Sequence, residues 1–101
     1  VQSTVQDEEI TMTRKIAILV RDRQEEALRM SIGLTLMDDA IDVYVLNKKI
    51  NNSKNNALNI ETIKEMGMKL FSNCADNTDM EYLSSKEISQ KIPSYDHILA
   101  Y

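Results

Sequence analysis

The six residues Lys15–Val20 (KIAILV) constrain this chain more than any other stretch. After the leading lysine every residue is apolar, and three are β-branched. A run that short and that continuous reads as a strand covered on both faces, not as a strand with one wet side. Such strands belong to parallel sheets, and a parallel sheet needs a crossover between neighbours. The rest of the chain supplies both. Ile41–Leu46 (IDVYVL), Met68–Phe71 (MKLF) and Asp96–Tyr101 (DHILAY) read as further strands, with Met80–Leu83 (MEYL) as a short one. Between them lie helix patterns. Asp22 with Glu25 makes a capping box for a helix from Arg23 to Met37, closed by Asp38-Asp39. Gly33 inside that helix points to a close helix–sheet approach. Ala57–Met66 is a second helix, with Asn59 as cap and Gly67 after its end. Ser84-Ser85-Lys86-Glu87 opens a third, which runs to Ile92 and stops at Pro93. Asn47–Asn56, rich in Asn and Lys, is expected to be a mobile loop.

The alternation predicts an α/β fold: a three-layer sandwich with a mostly parallel sheet of four to five strands and helices on both faces. The 101 residues suit one domain. Residues 14–101 are its expected extent. Residues 1–13 read as a disordered or added tail, with Met12 as an alternative start. Few aromatics are present, 5% of the chain, so Leu, Ile, Val and Met must fill the core.

Charge and motif content narrow the function. The net charge of −4 owes three units to Asp7, Glu8 and Glu9, and the remainder carries 13 acids against 12 bases. A nucleic-acid surface would need clustered Lys and Arg with stacking aromatics, so no nucleic-acid partner is expected. No apolar run approaches the roughly 20 residues of a membrane span, and no basic start leads into an apolar signal segment. No membrane partner is expected, and Asn51-Asn52-Ser53 is read as a chance glycosylation sequon. One cysteine permits no internal disulfide, and a reducing cytoplasm is the expected compartment. With only Gly33 and Gly67 present, neither G-x-G-x-x-G nor a P-loop occurs, so no phosphate cofactor is expected. One Cys, one His and scattered acids give no metal-ligand spacing, and His97 reads as a bystander.

In open parallel sheets sites form beyond the carboxyl ends of the strands. Those ends gather Arg21 and Arg23 after the first strand, Lys48 and Lys49 after the second, and Asn73, Cys74 and Asp76 after the third. Cys74 is therefore the candidate nucleophile, and the others are candidates to line its site. A nearby cation or a helical turn at Ala75–Asp79 would favour the thiolate, while Asp76 and Asp79 oppose it. The bland alternative is a small buried hydrophobe.

Four stretches resemble the DsrE/TusD-like sulfur-relay family: "KIAILVRDRQEEALRMSIGLTLMDD", "IDVYVLN", "GMKLFSNCADN" and the closing "EYLSSKEISQKIPSYDHILAY". Together they cover roughly Arg14 to Tyr101. The resemblance implies that Cys74 carries sulfur as a persulfide, taken from a donor protein or small thiol and passed to an acceptor. It also implies assembly into a homo-oligomer or with homologous subunits. Asp76 matches an acidic position of some relatives, whereas Thr78 and Asp79 stand where many have Arg and Gly. The family also contains subunits that scaffold a complex without carrying sulfur, so a non-catalytic interaction subunit is the alternative. A flavodoxin or receiver domain fits worse, because Arg21-Asp22-Arg23 forms neither an acidic pocket nor a flavin loop.

Overall fold

The computed structural model describes residues 14–36 and 40–101. The expected tail, Met37 and the Asp38-Asp39 helix end lie outside the described residues. The elements are β1 (Lys15–Val20), α1 (Gln24–Thr35), β2 (Ala40–Val45), α2 (Lys54–Glu65), β3 (Lys69–Ser72), β4 (Glu81–Tyr82), α3 (Ser85–Lys91), a 3₁₀ turn (Ile92–Ser94) and β5 (His97–Ala100). The five strands form one sheet in the order β4-β3-β2-β1-β5, and every pairing is parallel. The sequence reading of an α/β fold thus holds, with five strands.

Register explains how the helices divide. Ile18 pairs with Val43, and Val43 with Leu70, so these side chains share one face. That face packs against Ala27 and Leu28 of α1 and Ile63 of α2, all fully buried. The alternate residues Ala17, Tyr44 and Phe71 form a second cluster with Leu83 and with Ile88 of α3. The continuous apolar run of β1 is accounted for by these two clusters, one on each face.

Several local expectations need correction. Asp22 does not cap α1; the N-cap is Arg23, with no side-chain cap, and the N–H groups of Asp22 and Arg23 both donate to the Tyr101 carbonyl at 3.2 Å. The Tyr101 carbonyl, just past β5, thus ties down the approach to α1, while the Asp22 carboxylate is engaged by Lys48. Gly33 is exposed, and a Cβ there would meet nothing within 4 Å, so no close approach explains it. α2 starts at Lys54, three residues before the expected Ala57. Its cap is Ser53, not Asn59, with the Ser53 hydroxyl accepting from Asn56 N–H. The polar composition of Asn51–Asn56 hid this start, because Ser53 offers a better cap than its surroundings suggest. At the other end Gly67 takes φ 75°, its N–H donates to Lys64 O and that of Met68 to Ile63 O, the paired bonds of a Schellman motif.

The box at α3 forms as expected: Ser84 Oγ accepts from Glu87 N–H, and Glu87 Oε1 from Ser84 N–H. The bond from Ser84 N–H to the carboxylate, with the Ser84 hydroxyl adding to it, holds the Glu87 pKa below its ordinary value. A lowered folded pKa means that stabilisation is present above the unfolded carboxylate range and is lost as pH falls through the folded value. Ser84→Ala should cost about 1 kcal/mol in urea unfolding. The difference between Glu87→Gln and wild type should shrink on acidification.

Candidate functional site

The carboxyl edge of the sheet is organised by side-chain amides. β2 ends into Asn47, which takes the left-handed φ of 67° that asparagine tolerates better than most residues. The segment that follows was expected to be mobile, yet it is tied at successive points. Asn73 Oδ1 accepts from Asn47 N–H at 2.7 Å, and Asn73 Nδ2 donates to Asn47 Oδ1 and Ser85 Oγ. Asn77 Nδ2 donates to Lys48 O at 3.0 Å, and its Oδ1 accepts from Ile50 N–H at 2.9 Å. From the other side Gln24 Nε2 donates to Lys49 O, and Gln24 Oε1 accepts from Asn51 N–H at 2.8 Å. Gln24 and Asn77 are buried despite their polarity, because every amide atom has a backbone or hydroxyl partner.

Cys74 sits on this edge, two residues beyond β3, and is partly buried. Its backbone is held from below by Ser72. The Ser72 hydroxyl accepts from Cys74 N–H at 3.0 Å and from Asn77 Nδ2 at 2.9 Å. The Cys74 carbonyl accepts from Asn77 N–H at 3.1 Å, which closes a turn, and a second turn follows with Met80 N–H donating to Asn77 O. Residues Ala75–Asp79 therefore form two turns, not the helical turn considered from sequence. Among the described residues the Cys74 sulfur has no hydrogen bond or ion pair.

The other predicted residues divide into groups. Asn73 and Asp76 flank Cys74 on its own loop. Lys48 pairs with Asp22, and that contact, with Arg21 adding its charge, lowers the Asp22 pKa. Arg23 pairs with Glu26 and lies over the Tyr101 ring, 5.6 Å from its centre. The charged ends of Lys48 and Arg23 are thus committed to the β1–α1 corner. Arg21 is exposed at that corner. Lys49 instead lines a cleft of about 440 Å³ between residues 49–53 and residues 76–80, together with Asp76. His97 is exposed at the start of β5, away from the carboxyl edge. Among the described residues no group of three or more His, Cys, Asp or Glu is placed to hold a metal, and no helix is long and apolar enough to cross a membrane.

Sequence reasoning missed Gln24, Ser72 and Asn77, which shape the edge. Nothing in their spacing sets them apart from solvated loop residues; only burial does. It also missed a cluster on the α3 face: Tyr44 and Tyr95 hydroxyls lie 2.6 Å apart, and Tyr95 donates to Asp42 at 2.5 Å. Burial, joined by the Asp42 contact, pushes the Tyr95 phenol far above its ordinary range, so it stays a donor. No family model, no curated protein and no solved structure matches this chain.

Proposed function

We propose that this chain is a small sulfur carrier of cytoplasmic sulfur metabolism, holding a persulfide on Cys74 and passing it to a partner thiol. The chemistry comes from the resemblance in "GMKLFSNCADN". The observation that carries it is the position of Cys74: a free, partly buried cysteine on a backbone fixed by Ser72, at the carboxyl edge of a parallel sheet. In the uptake step the Cys74 thiolate attacks the outer sulfur of a donor persulfide. The donor S–S bond breaks, a new S–S bond forms at Cys74, and the donor leaves as a thiolate with no net oxidation. An acceptor thiolate repeats the exchange and frees Cys74. A lone cysteine suffices, because the next thiol comes from the donor or acceptor protein or a small thiol.

Intact-mass measurement after treatment with a persulfide donor tests this directly. Wild type should gain one sulfur atom per chain, Cys74→Ser none, and a low-molecular-weight thiol should remove it. A wild-type mass that stays unchanged at full donor excess rejects the carrier reading.

A second reading is favoured by the pairing of Lys48 with Asp22 and of Arg23 with Glu26, which spends cations expected beside the thiol. In that reading the chain is a non-catalytic subunit of an oligomer. Unchanged assembly in Cys74→Ser by light scattering, with no sulfur uptake by wild type, would select it.

A further inference from the structure

The cleft beside the Cys74 loop has a chemistry of its own. Its floor is apolar: Ile50, Ile60 and Met80 are partly buried and pack against the main core. Its walls are preformed, since Asn77 and Gln24 fix residues 48–51 by hydrogen bonds and leave no amide atom over. Its rim carries a cation and an anion that do not meet. Lys49 and Asp76 both line the cleft, and neither has an ion-pair partner among the described residues. The remaining rim carboxylate, Asp79, is already paired with Lys64 at 3.4 Å. Elsewhere on the same edge opposite charges do find each other, as Lys48 finds Asp22 and Arg23 finds Glu26.

A volume of about 440 Å³ falls in the range of small-molecule sites, and the cleft lies beyond the carboxyl ends of β2 and β3, where open α/β sheets bind ligands. A cleft that offers an unpaired cation, an unpaired anion and an apolar floor is complementary to a small molecule that carries both charges and an apolar group. We propose that this cleft binds a small zwitterion of the α-amino acid class, with its carboxylate on Lys49, its ammonium on Asp76 and an apolar or sulfur-bearing side chain over Ile50, Ile60 and Met80. An anion alone would meet Asp76, and an amine alone would meet Lys49. Charge steering therefore rejects both in favour of a ligand that satisfies each end. The inference does not depend on Cys74 carrying sulfur.

The test titrates L-methionine into the full chain by heteronuclear NMR, beside N-acetyl-L-methionine, L-methioninamide and glycine. Methionine should give saturable shifts confined to residues 49–53, 57–60 and 76–80. Removing the ammonium, the carboxylate or the side chain should each weaken binding by about tenfold or more, the size of one lost charge contact or apolar group. Lys49→Ala should bind methionine and its amide alike, and Asp76→Asn should bind methionine and its N-acetyl form alike. Both substitutions are at exposed positions, so the fold, followed by the same spectra, should be unchanged. Absence of saturable shifts at millimolar methionine overturns the proposal, and so does equal binding of all four ligands by wild type. Cys74→Ser should bind methionine as wild type does. Binding without sulfur uptake removes only the carrier reading, and uptake without binding removes only this one.

Discussion

Tyr44→Ala should lose about 3–5 kcal/mol of stability in urea unfolding, a large share of the roughly 5–15 kcal/mol that holds a small domain together. Tyr44 is fully buried on β2, the central strand of the sheet. Its ring stacks on Phe71 with centres 5.0 Å apart and meets the edge of Tyr95 at 5.9 Å. With only five aromatic residues in the chain, three of them converge here. The α3 face of the sheet is built on this one cluster, so little else can close around the hole. Tyr44→Phe separates packing from hydrogen bonding. It keeps the ring and removes one hydroxyl, while Tyr95 still donates to Asp42. The expected cost is about 1 kcal/mol. If the two variants were equally damaging, the hydroxyl pair and not the ring packing would be what holds α3 to the sheet.

Asn77→Ala should be nearly as costly, about 2–4 kcal/mol, for a different reason. The substitution deletes little apolar surface. It strands Ile50 N–H, Lys48 C=O and one lone pair of Ser72 in a partly buried place. Asn77→Asp is the sharper probe. The carboxylate can still accept from Ile50, but it places an acceptor against the Lys48 carbonyl and cannot donate to it. Burial raises the pKa of such a carboxyl group in the folded state. The folded chain then holds a proton that the unfolded chain releases, so the deficit should grow as pH rises through the carboxylate range and be smallest in acid. Unfolding of Asn77→Asp at acidic and neutral pH, each against wild type, measures this. Amide exchange at Ile50 should accelerate in both variants, since that N–H loses its partner or its rigid frame. A deficit independent of pH would mean that residue 77 is solvated and that the loop holds without it.

The main elements of the fold were legible because burial on both faces leaves a plain mark. KIAILV is apolar after its lysine and IDVYVL carries a single charge, so both read as buried strands, and Ser84 with Glu87 states a helix start in four letters. The misplaced start of α2 has an equally physical cause. Lys54, Asn55 and Asn59 give its first turns no apolar stripe, and only Ile63 among its apolar residues is fully buried. Asp22 was misread because its carboxylate finds Lys48 across the β1–α1 corner instead of an amide of the helix, which starts one residue later with Arg23 at its cap position. At the candidate site, the strand-end rule put Cys74, Asn73 and Asp76 on one edge correctly. It could not say which cations would be consumed by neighbouring carboxylates. That depends on side-chain reach across the β1–α1 corner, which strand periodicity does not encode.

The placement of β5 beside β1 has a consequence for how the polypeptide acquires its shape during synthesis. Ile16 pairs with His97 and Leu19 with Ala100, so the earliest strand of the sheet waits for the latest. Until that partner emerges from the ribosome, β1 presents an unpaired backbone edge flanked by apolar side chains, and the N–H groups of Asp22 and Arg23 lack the carbonyl that they pair with in the finished fold. Closing so long a span comes late and slowly, because chain entropy is lost before any contact repays it. A nascent chain halted short of Ile98 is thus the form of this molecule most exposed to mispairing with its own copies and most in need of a chaperone.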